Sequence, residues 1–215
     1  MSLEQMDEYE RGERVRRWVK DNASSMLGGV SVGLLAFLGW QWYQQGQAQQ
    51  KVDAAAQFAN LREAVEVGNS SEAGEVAQGL ADRFAKSPYA AMAQLQMAQI
   101  HAEAGDIDAS LTALQRARSL SPEPLLAQLA ELRIARLKYG RGEHDEALTL
   151  LQGMSGGYAG LVADLRGDIL RAQGRRDEAI DAYQDALTHL QEGVQTRGLV
   201  ELKLADLGVI VERGS

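Results

Sequence analysis

Three histidines, His101, His144 and His189, and the carboxylate pair Asp164 and Asp168 are the side chains whose types could move a proton or hold a metal. A metal site needs ligands that converge at fixed spacing. The histidines lie far apart in the chain, and no cysteine is present to join them. His101 stands where a helix calls for an aromatic, which makes it core filler. His144 opens a helix in the stretch EHDE, where Glu143 and Asp145 suit the positive end of the helix dipole. Asp164 and Asp168 are four residues apart on one helix, the spacing of an ordinary solvated face. No nucleophile elbow and no phosphate-cradling glycine loop appears, and SGGY at 155–158 reads as a lone glycine turn. These residues predict no catalysis, no cofactor and no metal. What remains is binding.

The elements that would present a binding surface are helical. Beyond residue 44 the chain is rich in Ala, Leu, Gln, Glu and Arg, strong helix formers, and only Pro88, Pro122 and Pro124 interrupt it. No stretch alternates with the period of a strand. Self-comparison finds a repeated pattern. In 160–193, small residues fall at Ala163, Gly167, Gly174, Ala179 and Ala186, with Leu170 and Tyr183 between them. Gly174 starts a turn and Asp177 can cap the helix after it. Started at Ala91, the pattern gives Ala98, Gly105, Ser110, Leu114, Ala117 and Pro122; started at Gln128, it gives Ala135, Gly142, Ala147 and Leu151. Residues 54–88 supply a weaker copy through Leu61, Gly68, Ala73, Leu80 and Pro88. This resembles the tetratricopeptide repeat, a helix–turn–helix unit of about 34 residues. The expected units are 54–88, 91–124, 128–159 and 160–193, closed by a capping helix at 196–211. No such hairpin buries its apolar face alone, so the units must stack into a solenoid with a groove. In such stacks the first helix of each pair lines the groove. The matching positions here are Met92, Leu95, Gln99 and Glu103, then Leu129, Leu132, Arg136 and Tyr139, then Leu161, Asp164, Asp168 and Arg171. Leu95 and Gln99 replace the Lys/Asn pair that clamps a terminal carboxylate. The lining therefore points to a helix or an exposed apolar segment as ligand.

Residues 24–43, SSMLGGVSVGLLAFLGWQWY, carry no charge, and none occurs between Asp21 and Lys51. As a helix that run is ~30 Å long, the thickness of a bilayer's hydrocarbon core. Arg11, Arg14, Arg16, Arg17 and Lys20 precede it, whereas Lys51 and Arg62 are the first basic residues after it. The asymmetry sets residues 1–23 in the cytosol and 44–215 across the membrane. The length of the leading region and the aromatic end, Trp40, Trp42 and Tyr43, favour an uncleaved anchor in membrane lipid over a signal peptide. Ser25, Gly29 and Gly33 have the spacing that lets two membrane helices pack closely, which would pair the chain with a second copy. The formal charge is −8, nearly all of it beyond the span, so the domain lacks the basic footprint that nucleic acid requires.

The whole arrangement resembles the YfgM family of ancillary SecYEG translocon subunits. The resemblance rests on the charged tail, the span ending in GWQWY, the stretch GGYAGLVADLRGDILRAQG and the closing LKLADLG. It implies a single-pass protein of the bacterial inner membrane, with its repeats in the periplasm. Implied partners are the SecYEG translocon, a PpiD-type periplasmic chaperone and translocating polypeptides, with a cytosolic stress-response regulator at the tail. The expected function is that of an adaptor passing translocated chains to periplasmic chaperones. The rival expectations are a scaffold for envelope assembly or division, and a regulator acting through the tail.

Overall fold

The computed structural model describes residues 3–191 and 194–210, apart from the side chains at 3–12, 14, 15, 24–27 and 30. Ser25 therefore lies outside the described side chains, as do residues 211–215 at the expected end of the capping helix. The described chain is all helical: α1 Leu3–Glu66, α2 Ser70–Arg83, α3 Pro88–Glu103, α4 Ile107–Leu120, α5 Pro124–Gly140, α6 His144–Leu151, α7 Ala159–Ala172, α8 Arg176–His189 and α9 Gln195–Asp206. It divides into two units, Met1–Val52 and Asp53–Ser215.

In the first unit, described side chains from Val32 to Tyr43 are exposed, with Leu35 at 70% and Trp42 at 81%. Val32, Leu34, Leu35 and Phe37 spread round the circumference at about 100° per residue, so no face is polar. A Cβ added at Gly29 or Gly33 would meet nothing within 4 Å. Among the described residues, no helix is long and apolar enough to cross a membrane. Residues 24–27 and 30 of the uncharged run fall outside the side chains on which that statement rests.

The second unit is a stack of helical hairpins. Each turns on a glycine with positive φ: Gly68 at 75°, Gly105 at 79°, Gly142 at 79° and Gly174 at 76°. The next residue's N–H then reaches back five positions: Asn69 to Ala64 O at 2.8 Å, and Asp106 to His101 O, Glu143 to Lys138 O and Arg175 to Leu170 O, each at 2.9 Å. This Schellman closure satisfies carbonyls that a helix end leaves orphaned. The following helix starts at once. Asn69 and Asp106 accept bonds from the N–H groups of Glu72 and Ala109, at 3.2 and 3.0 Å. At α8 the N-cap is Arg175, which makes no side-chain capping bond. Asp177 is not the cap, because the turn closes two residues earlier; it sits in the first turn, where its charge suits the dipole. Pro88 and Pro124 stand at the starts of α3 and α5, where a missing N–H costs nothing.

Alanines bring the helices close. Ala54, Leu61 and Ala64 share one buried cluster with Ala73, Ala77, Leu80, Ala98 and Leu114. A second cluster joins Leu132, Ala135, Ala147, Leu151, Val162 and Ile169, and a third joins Ala163, Ala179, Tyr183, Val200 and Leu204. The glycine turns carry a direct prediction. A Cβ at Gly105 would meet nothing within 4 Å, so Gly105→Ala tests backbone strain alone. The expected loss is about 1 kcal/mol, read as a lower urea midpoint with unchanged slope.

Candidate protein-binding groove

The first helices α3, α5 and α7 supply the residues expected to line the groove, and the structure divides them. Leu95 and Leu132 are 7% and 2% exposed and belong to the packed core, so neither is free to touch a ligand. Both lie within buried clusters shared by several helices. Leu129, Leu161 and Tyr139 are half-buried against the same core. The Tyr139 ring lies 5.6 Å from that of His144. Met92 is half-buried, and Gln99, Glu103, Arg136 and Arg171 reach solvent. His101 is half-buried in the last turn of α3 rather than filling the core.

The structure brings Gln99 and Arg136 together. Both line a hollow of about 260 Å3 whose floor is Ala98, Ala102, Leu114 and Leu137. Arg133 borders it and donates to the Leu95 carbonyl at 3.5 Å. Gln99 is held by its bond to Glu103 at 2.9 Å. An apolar floor beside two guanidinium groups suits an apolar side chain flanked by carbonyl or carboxylate acceptors.

Asp164 and Asp168 correct the sequence expectation. They do not form a solvated face. Lys203 of α9 reaches both, at 2.6 and 2.8 Å, and Asp164 is only 9% exposed. The Tyr183 hydroxyl donates to Asp168 at 2.7 Å, and the Lys203 ammonium sits 5.5 Å from the centre of the Tyr183 ring. Burial, helped by the neighbouring Asp168 charge, raises the Asp164 carboxyl above its usual range against the pull of Lys203 and a weaker field from Arg136. Burial, then the bond to Asp168, holds the Tyr183 phenol protonated far above its ordinary range. Lys203 and Tyr183 were missed as members of this cluster. The available signal was a lysine beside the inward positions Val200 and Leu204, since a cation on a buried face needs a partner. Among the described residues, no group of three or more His, Cys, Asp or Glu side chains is placed to hold a metal ion.

A stack of glycine-turned hairpins with a mixed lining defines a repeat protein built for macromolecular contact. The family model described as "Tetratricopeptide repeat-like domain" matches residues 16–209, and the chain belongs to that family. The resemblance to ancillary translocon subunits also holds. The chain is 28% identical over 182 residues to the ancillary SecYEG translocon subunit of Escherichia coli K12, covering 83% of this chain and 86% of that protein. The proteins of the same name from Haemophilus influenzae and Neisseria gonorrhoeae are each 26% identical, over 94% of this chain and 98% of theirs. Among solved structures, MamA 41-end from Desulfovibrio magneticus RS-1 has a TM-score of 0.52 at 18% identity. It covers 72% of this chain and 87% of that one, and its likeness is one of fold.

Proposed function

We propose that this protein is a non-catalytic adaptor of the SecYEG translocon, anchored in the bacterial inner membrane by residues 24–43. Its N-terminus is cytoplasmic and its helical stack periplasmic. It binds polypeptides as they leave the channel and passes them to a PpiD-type chaperone. The observation that carries the reading is the similarity to ancillary translocon subunits along 94% of the chain, a span that takes in the uncharged run as well as the repeats. The basic residues before that run support the orientation, and the exposed Trp40, Trp42 and Tyr43 at its end suit a membrane interface. An anchor beside the channel exit raises the groove's effective concentration for emerging segments without any gain in intrinsic affinity.

Affinity purification of the full chain from solubilised membranes tests the reading. Translocon subunits and a periplasmic chaperone are expected to co-purify. Recovery of neither overturns it. A C-terminal reporter active only in the cytoplasm would refute the orientation separately.

A further inference from the structure

The helix α6 is cut short. It spans 8 residues, where α4 and α8 span 14. Gln152 turns extended, and Gly153 and Gly156 take φ of 78° and 89°, so the chain leaves the helix after Leu151. The space beside the stub stays open as a cleft of about 520 Å3 between α6, α7 and α8. Half-buried Leu148 and Met154 give it apolar walls over the buried Leu151 and Val162, Gln152, Arg166, Asp185 and His189 add polar ones, and Ala159 lies among the residues lining it. Past Leu148 and Arg166 it runs into a second hollow of about 450 Å3, edged by Arg175, Glu178 and Asp181. At about 100° per residue, Ala159, Val162 and Arg166 lie on the opposite side of α7 from Leu161, Asp164 and Asp168. This cleft is therefore separate from the groove.

Its charges are almost matched. Arg166 meets Asp185 at 3.2 Å, and Asp185 also meets His189 at 3.5 Å. Arg175 is held by Glu178 at 2.5 Å. Asp181 is exposed and has no hydrogen-bond or ion-pair partner among the described residues. The result is a mixed cleft with half-buried apolar walls and, in the adjoining hollow, one carboxylate without a partner among the described residues. We propose that this cleft is a second polypeptide site. It takes a short apolar segment carrying one lysine or arginine, with the apolar side chains on Leu148 and Met154 and the cation at Asp181. A concave site with a few apolar walls suits a short apolar segment, and the single carboxylate selects the sign of its charge.

The test uses the full chain in nanodiscs and two fluorescein-labelled nine-residue peptides of leucine and alanine, one with a central lysine and one with a central glutamate. Empty nanodiscs give the background. The lysine peptide is expected to bind at least fivefold more tightly. Ala159→Leu, which fills the mouth of the cleft, should weaken it at least tenfold. Asp181→Lys, at an exposed position that leaves folding untouched, should invert the preference between the peptides. Lys86→Glu, at an exposed position in the 84–87 join and away from both hollows, should leave both affinities unchanged. Equal binding of the two peptides, no response to Ala159→Leu in protein of unchanged helicity, or an equal loss of binding with Lys86→Glu would each overturn the proposal. Translocon co-purification of Asp181→Lys separates this result from the fate of the adaptor reading.

Discussion

Gly167→Val is expected to cost about 3 kcal/mol and to open the last hairpin and α9 while leaving α3 and α4 folded. A Cβ at Gly167 would fall inside the Tyr183 ring's contact distance, nearer than real Cβ atoms come to their neighbours. Tyr183 is fully buried and packed among Ala163, Ala179, Ala182 and Ala186, so the ring has nowhere to retreat. Overfilling a packed core costs roughly 1–3 kcal/mol. Moving the ring also breaks the bond from its hydroxyl to Asp168, and a hydrogen bond to a charged group contributes roughly 1.5–3 kcal/mol. In a stack each hairpin contacts only its neighbours, so the damage stays local. Amide exchange should accelerate across α7, α8 and α9 and remain slow in α3 and α4. Pairing Gly167→Ala with Tyr183→Leu should recover part of the loss. Uniform acceleration along the stack would contradict the account.

Lys203→Met is expected to destabilise the protein by about 2–3 kcal/mol at neutral pH. The reason is the pair of carboxylates it leaves behind rather than the contact it removes. Asp164 and Asp168 are 12% and 20% exposed at their side chains, and Lys203 is their shared cation. Breaking a buried pair by removing one partner costs roughly 3–5 kcal/mol, and partial exposure reduces that here. The pH dependence has a fixed sign. The Asp164 carboxyl is already raised in the fold, and losing Lys203 raises it further. The folded variant then binds a proton that the unfolded chain has released, so the variant loses stability as pH rises through the folded value. The gap between wild type and variant should therefore shrink as pH falls into the carboxylate range. Asp164→Asn in the variant background should narrow the gap at neutral pH. Urea denaturation at several pH values measures both effects, and a gap independent of pH would refute this origin.

The fold was legible because two signals coincide. Glycines at 68, 105, 142 and 174 mark places where only a residue without Cβ turns cheaply, and alanines around them mark close helix contact. The groove was only half legible. A leucine on a first helix reads the same whether it faces a ligand or the next helix. Leu95 and Leu132 are buried in clusters shared by several helices, a fact that periodicity does not encode. Asp164 and Asp168 looked solvated because their partner, Lys203, lies on a different helix. SGGY was seen as a turn, yet its effect, the early end of α6, depends on how far that helix would otherwise have run.

The corners within hairpins are closed by two main-chain bonds and one glycine each, and the joins between hairpins obey no such rule. Residues 84–87, 121–123 and 152–158 differ in length and conformation. Insertions and deletions during descent will be purged inside a corner and tolerated at a join. A lineage can thus reshape the spacing and tilt of neighbouring modules, and with them the surface they present, by editing a few outer residues while every module keeps its own closure.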